Sequence, residues 1–243
     1  LHLFAENIIP NLLDIWTGRF KDLDEGCESY VLDNNVWSAI GAETLAAVKE
    51  IPSAFVRKMG NIAEDRSGYT AESYAFWFMY LAPHLLAGRF KHRKYYDHAM
   101  ELVAIMKVTL QYSLTHQEIN WLENACDSWV HKYEEYYYQY EDSRLAFCVL
   151  TIHGLLHVAP DICVCGPMSA TWSWYMERYC GFLKKALLSR KQPWQNLDER
   201  VKQFSNLAHL RMKYDLSTEL PMERHSSDNV RAGEHVYEEC ELI

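Results

Sequence analysis

The sequence predicts a mainly α-helical protein. Three observations carry that prediction. Apolar residues recur three and four positions apart from one end of the chain to the other, the spacing that lines one face of a helix. No segment shows the apolar–polar alternation of a half-buried strand. Polar cap residues precede several of the periodic runs, most clearly in Thr115-His116-Gln117-Glu118, a capping box.

The elements follow in order. Leu3, Phe4, Ile8, Leu12, Ile15 and Trp16 form a first helical face, which Pro10 should kink or divide. Asp22, Asp24, Glu25 and Glu28 mark a solvated acidic loop. Trp37, Ile40, Thr44, Leu45 and Val48 give a second helix capped by Asp33 or Asn34. Ile51-Pro52-Ser53, Gly60 and Gly68 make residues 51–69 a long connector. Thr70 can cap an aromatic segment with Tyr74, Trp77, Phe78 and Leu81, interrupted by Pro83. Lys91 to Lys94 are basic and should be exposed, and Tyr96, Met100, Val103, Lys107 and Leu110 form the next face. The helix opened by Thr115 runs through Leu122, Cys126, Trp129, Tyr133 and Tyr137. The apolar run Leu145 to Leu156 is too long for a typical strand and reads as a buried helix. Pro160, Gly166 and Pro167 make residues 159–168 a loop, with Ile162 to Cys165 in extended form. Ser169 can cap a helix over 170–189. Asn196-Leu197-Asp198-Glu199 resembles another capping box, with Val201, Phe204, Leu207 and Leu210 on its face. From Asp215 the chain is polar and aperiodic, so 215–243 reads as a disordered tail.

Composition narrows the function classes. The 243 residues allow one large domain or two small ones. With 49% hydrophobic and 23% charged residues, long disorder and collagen-like architecture are excluded. The net charge of −9 argues against a globally basic nucleic-acid binder and leaves room for a local basic groove. Seven dispersed cysteines do not form a small secreted disulfide framework and suit a reducing, intracellular compartment. No run of about 18 apolar residues predicts a transmembrane helix. The first residues lack the basic and small-residue features of a signal peptide. The chain opens at Leu1 inside an amphipathic pattern and reads as a piece of something longer.

Three constellations could carry chemistry. His153 and His157 stand four apart, a spacing that suits a metal, with Cys148, Cys163, Cys165 and Cys180 near in sequence. A zinc-stabilised domain is one reading; two hydrogen-bonded structural histidines beside buried thiols is the other. Glu177 projects from the edge of the apolar face Trp172, Tyr175, Met176, Tyr179, Phe182 and Leu183. Ser173 and Gly181, four positions to either side, leave room for a hydrated divalent ion. The plainer reading is a solvated glutamate paired with Lys184 or Lys185. Finally, residues 178–197 hold no acid and carry Arg178, Lys184, Lys185, Arg190 and Lys191. They could contact a phosphate backbone or merely complement a helix C-terminus. Gly88 to Lys94 is a second basic spot, and Tyr133 to Tyr140 reads as packing rather than a base-stacking platform.

Several segments together resemble a known family. They are Thr151 to His157, Gly166-Pro167, Trp174, Met176-Glu177-Arg178, Gly181, Leu183-Lys184, Ser189-Arg190 and Pro193. Further upstream are Leu1 to Phe4 with Glu6-Asn7, Ile15 to Gly18, Lys21 with Leu23 to Gly26, Ile51 to Ser53, Asp65 to Ser67, and Lys94 to His98. In order and spacing, over roughly residues 1–214, they resemble the C-terminal part of CACTA-type (En/Spm-like) DNA transposases of basidiomycete fungi. The resemblance implies a helical insertion region at 1–142, then the last helices of an RNase H-like catalytic domain at 143–214. In that family three acids hold two divalent ions, Mg2+ or Mn2+, for DNA strand cleavage and transfer. The match places the third acid at Glu177, as catalytic and metal-binding residue. His2 matches the histidine of an acid-x-x-His signature, and both catalytic aspartates with their sheet would lie upstream. His153, His157, Gly166, Pro167, Trp174 and Gly181 match as structural positions. Arg178, Lys184, Lys185, Arg190 and Lys191 would lie near DNA. The implied partners are transposon-end DNA or a second copy of the chain, with no membrane, in the nucleus for the intact parent. The chain alone should be inactive and hold no metal tightly. The competing reading is a helical protein–protein module whose aromatic faces, Tyr74 to Phe78 and Tyr133 to Tyr140, lie exposed.

Overall fold

The computed structural model describes residues 2–52, 55, 59–171, 173–185, 187, 191–216 and 218–219. The described residues are mainly helical and hold no strand. They fall into two compact units, one running through Thr171 and one after it. The first unit therefore continues past residue 142 and takes in the helices up to Thr171. The expected tail lies outside the described residues apart from 215–216 and 218–219.

The first unit opens with a π-helical turn, Leu3–Ile8, that passes into α1, Ile9–Trp16. After α2 (Asn34–Glu50) come α3 (Ala71–Phe76), a π-helical turn at Trp77–Leu81 and α4 (Ala82–Leu85). Both prolines expected to disturb helices do so in the same way. Pro10 and Pro83 each sit in the first turn of an α-helix directly after a π turn. A proline cannot donate to the preceding turn, and its ring would hit the carbonyl four residues back; a widened turn relieves both problems.

Next come α5 (Arg93–Thr109) and α6 (His116–Tyr133), which pack on one another. Thr115 and Glu118 close the expected capping box, with Thr115 Oγ1 accepting from the Glu118 amide and the Glu118 carboxylate accepting from the Thr115 amide at 2.7 Å. Leu122, Cys126, Trp129, Tyr133 and Tyr137 are all buried, as their spacing predicts. The face of α5 is shifted from expectation. Tyr95, His98, Ala99, Leu102 and Met106 are buried, while Lys107 is exposed and Tyr96 and Met100 are half-buried. His98 makes the difference, because its ring stacks on Trp129 at 4.4 Å and draws its own side of the helix inward. The Trp129 indole donates to the His98 carbonyl, and His98 Nε2 lies 3.1 Å from the Trp129 carbonyl.

The region after α6 departs most from expectation. A π turn at Glu134–Tyr138 and a 3-10 turn at Asp142–Phe147 precede α7 (Leu150–Gly154), a 3-10 turn at Leu155–His157 and α8 (Val158–Cys165). The apolar run is thus not one buried helix. Cys148 and Val149 break it, and Leu145 and Leu150 are exposed. Residues 159–165 are helical rather than loop or extended. Pro160 is the third residue of α8, where a missing N–H leaves no intrahelical bond undone. Gly166 then ends the helix at a positive φ of 84°.

The acidic loop is docked rather than solvated. Arg144 is only 3% exposed, and its guanidinium donates to the Tyr137 and Asp24 carbonyls, the Tyr30 hydroxyl and the Asp24 carboxylate, all at 2.8–3.0 Å. Glu28 accepts from Tyr95 and pairs with Lys94. Gln139, in a left-handed conformation, donates to the Glu25 carbonyl and accepts from the Cys27 amide. Gly26 sits beneath that amide group at a φ of +62°; a Cβ there would lie 2.3 Å from the Gln139 oxygen. Desolvation pushes the Tyr30 phenol up to about 12, so it remains a neutral donor-acceptor for Arg144.

The aromatic faces expected to stand open are closed. Trp77 and Phe78 are fully buried, and Tyr133 and Tyr137 lie under Trp16, Phe147 and Trp129. The tyrosine cluster is packing, with Tyr140 its exposed end. Burial of this ring network, together with the aliphatic core around it, removes large apolar areas from water and stabilises the first unit.

The second unit holds α10 (Trp174–Lys185) and α11 (Pro193–Tyr214). Helix continues from 168 only as the short α9 (Met168–Thr171), not as the single helix expected over 170–189. The expected box at Asn196 is not a helix start either. Pro193, pre-set for a first helical position, opens α11 three residues earlier.

Candidate nucleic-acid interface

The acid and the basic stretch fall largely on α10. A helix advances about 1.5 Å and 100° per residue, so positions 177 and 184 share one face about 10 Å apart along the axis. Gly181 lies between them on that face, and a Cβ placed there would meet nothing within 4 Å. The positions thus line up as acid, open gap, cation. Lys184 and Lys191 are exposed. Glu177, Arg178, Lys185 and Trp174 take part in α10 by backbone, while their side chains, and all of Arg190, lie outside the described residues.

Around that face the apolar residues are only partly covered. Phe182 meets Phe204 of α11 at 4.6 Å between ring centres, and Tyr179 lies 6.3 Å from Phe182. The Arg200 guanidinium covers Phe204 at 4.7 Å. Met176, Trp194 and Met212 remain more exposed than buried.

His153 and His157 stay together, their Nε2 atoms 3.1 Å apart and their rings at 80°. One ring donates to the other, so the pair is a hydrogen bond between exposed side chains. The thiols beside them are not buried as expected. Cys148, Cys163, Cys165 and Cys180 are all free and exposed. Among the described residues no group of three or more His, Cys, Asp or Glu side chains is placed to hold a metal ion. His2 is exposed, bonded to Glu6, and its carbonyl accepts from Asn7 at 2.9 Å. Pro167 follows Gly166 at the end of α8, and its carbonyl accepts from the Ala170 amide that starts the next turn.

Sequence reasoning missed Arg144 and Gln139. Each ties together segments more than 100 residues apart, and neither carries a local signal. No helix among the described residues is long and apolar enough to cross a membrane. No family model, curated protein or solved structure matches the chain.

Proposed function

We propose that this chain is the helical portion of a CACTA-type transposase, with the first unit as a scaffold and the second as the part that meets DNA. The observation that carries the reading is the face of α10, where position 177, the gap at Gly181 and Lys184 align at the start of a stretch, 178 to 197, that holds no acid. A carboxylate and a cation spaced along one helix face suit a phosphate backbone reached through a divalent ion.

Two-metal strand transfer needs a shared set of carboxylates. The described residues gather no such set, so no catalytic step is derived for this chain alone. In the intact parent, Glu177 would be one ligand for Mg2+ or Mn2+, the two aspartates would come from elsewhere, and the site of action would be nuclear DNA.

The test is binding of a fluorescein-labelled duplex, followed by anisotropy. The wild-type chain should bind weakly and lose affinity as salt rises, and Lys184→Glu with Lys191→Glu should weaken binding on the order of tenfold. Strand transfer by the chain alone that survives Glu177→Gln would sink the proposal, as would affinity unaffected by the charge reversals. A protein–protein module remains the second reading, favoured by the absence of any buried residue in α11. Light scattering behind size exclusion separates the two. A monomer at every concentration counts against the module.

A further inference from the structure

The first unit holds its own acid-free basic stretch. From Ser73 to Tyr96 there is no Asp or Glu, while Arg89, Lys91, Arg93 and Lys94 stand with His84 and His92. In a chain of charge −9, this is a second local reversal of sign. The fold neutralises only part of it. Arg89 lies 2.6 Å from Glu43 of α2, and Lys94 lies 2.6 Å from Glu28. Among the described residues the carboxylate Arg93 reaches is Asp97, at 3.3 Å on its own exposed helix surface, a contact of small value. Lys91 has no carboxylate partner among the described residues.

The two loosely held cations share a hollow. Lys91 and Arg93, with Gly88, Phe90 and Tyr96, line a depression of about 490 Å³ beside the start of α5. His92 and Lys94 face a separate cleft with Cys27 and Glu28. The alternation follows from the extended backbone of His92, which sends neighbouring side chains to opposite sides.

The electrostatics of the helix point outward as well. Arg93 and Lys94 occupy the first turn of α5, which holds no acid. Cations there oppose the positive end of the helix dipole, an arrangement that an external anion relieves. His92 supplies no side-chain cap to that turn, where the Tyr95 amide donates to the His92 carbonyl.

The floor decides which polyanion fits. Phe90 is 9% exposed, and Tyr96 is half-buried with its hydroxyl donating to the Pro83 carbonyl at 2.8 Å. The exposed apolar side chain of the hollow is the single methyl of Ala87, too small to anchor in a lipid surface. Recessed rings under a cationic rim instead suit a sugar–phosphate backbone whose phosphates meet the two cations.

We infer that the hollow between the Leu86–His92 turn and the start of α5 is a nucleic-acid backbone site, in which Lys91 and Arg93 contact phosphates over the Phe90–Tyr96 wall. It is separate from α10 and does not depend on Glu177.

The test uses the whole chain and a labelled duplex, titrated from about 50 to 200 mM salt. Lys91→Glu with Arg93→Glu should weaken binding on the order of tenfold at the low end. It should also reduce the slope of log affinity against log salt by about 1.8, near 0.9 for each cation lost. Lys91→Gln with Arg93→Gln should lower the slope similarly without moving the thermal melt, which separates charge loss from misfolding. Unchanged affinity and slope in both pairs overturn the inference. So does absence of DNA binding by the wild type, or binding to phosphatidylserine vesicles in place of DNA. If only Lys184→Glu with Lys191→Glu loses affinity, the α10 reading stands and this one falls; if only the Lys91 and Arg93 variants do, the reverse holds.

Discussion

Helices α6 and α11 carry the same kind of sequence signal and meet different fates. Both are long and amphipathic. In α6, Leu122, Cys126, Trp129, Val130 and Tyr133 are all buried, against α5 and α8 and the 155–157 turn. In α11, 22 residues long, none is buried, and Leu207 and Leu210 keep nearly half their surface exposed. Periodicity says which face is apolar; it does not say what covers it. The first unit supplies its own cover, much of it through rings, whereas α11 leaves its apolar face largely exposed.

Truncations should show that difference at its largest. Trp129→Ala removes a fully buried ring, its bond to the His98 carbonyl and its stack on His98, and should cost about 4 kcal/mol in thermal or urea unfolding. Phe204→Ala, on the half-buried contact with Phe182, should cost about 1 kcal/mol or less. Equal losses would erase the contrast.

Arg144→Ala sharpens it next. The change removes the donors to the Tyr137 and Asp24 carbonyls and to the Tyr30 hydroxyl, leaving the bond from that hydroxyl to the Asp24 carbonyl as a remaining tie, for a loss of about 3 kcal/mol by urea unfolding. Asp24→Asn, at an exposed carboxylate, should cost well under about 1 kcal/mol.

Two glycines set the units side by side. A Cβ at Gly41 would fall 2.0 Å from Asn61 Oδ1, which already accepts from the Ala63 amide, so Gly41→Ala should cost about 2 kcal/mol. Gly181→Ala meets open space in a helix interior and should stabilise α10 by about 0.5–1 kcal/mol. Thermal melts of the two variants should therefore shift in opposite directions.

Acid acts on the first unit through His98. Burial lowers its pKa to about 3, against an ordinary 6.5. Between those values the unfolded chain binds a proton that the folded chain refuses, so stability falls as pH drops from 6.5 towards 3. The slope from this residue reaches about 1.4 kcal/mol per pH unit, and His98→Gln should flatten it in denaturant titrations run across that range.

The sequence made local events visible and long-range ones invisible. The Thr115–Glu118 box, the Thr70 cap and the disturbance at Pro10 and Pro83 depend on neighbours within one turn. The docking of the acidic loop depends on Arg144 and Lys94, 120 and 66 residues further along the chain, so nothing beside Asp24 or Glu28 announces it. Pro160 misleads because proline signals a loop in most contexts but is neutral in the first turn of a helix. The faces expected to stand open, Tyr74 to Phe78 and Tyr133 to Tyr140, are legible as aromatic and helical; the partners that cover most of them, Trp16 and Phe147 among them, come from distant segments. For the site, spacing alone pointed to the small Ser173 and Gly181 on either side of position 177, while the alignment of 177 with 184 came from the helix that the structure shows, in which a Cβ at Gly181 would meet nothing within 4 Å.

Amide hydrogen exchange on the whole chain, with and without duplex DNA, tests the central claim most directly. The account predicts that α6 amides exchange orders of magnitude more slowly than those of α11 in the free protein. Added DNA should then slow exchange in α10 and at the start of α5 while leaving α6 unchanged. Protection of α11 equal to that of α6 in the free chain, with no change on adding DNA, would contradict it.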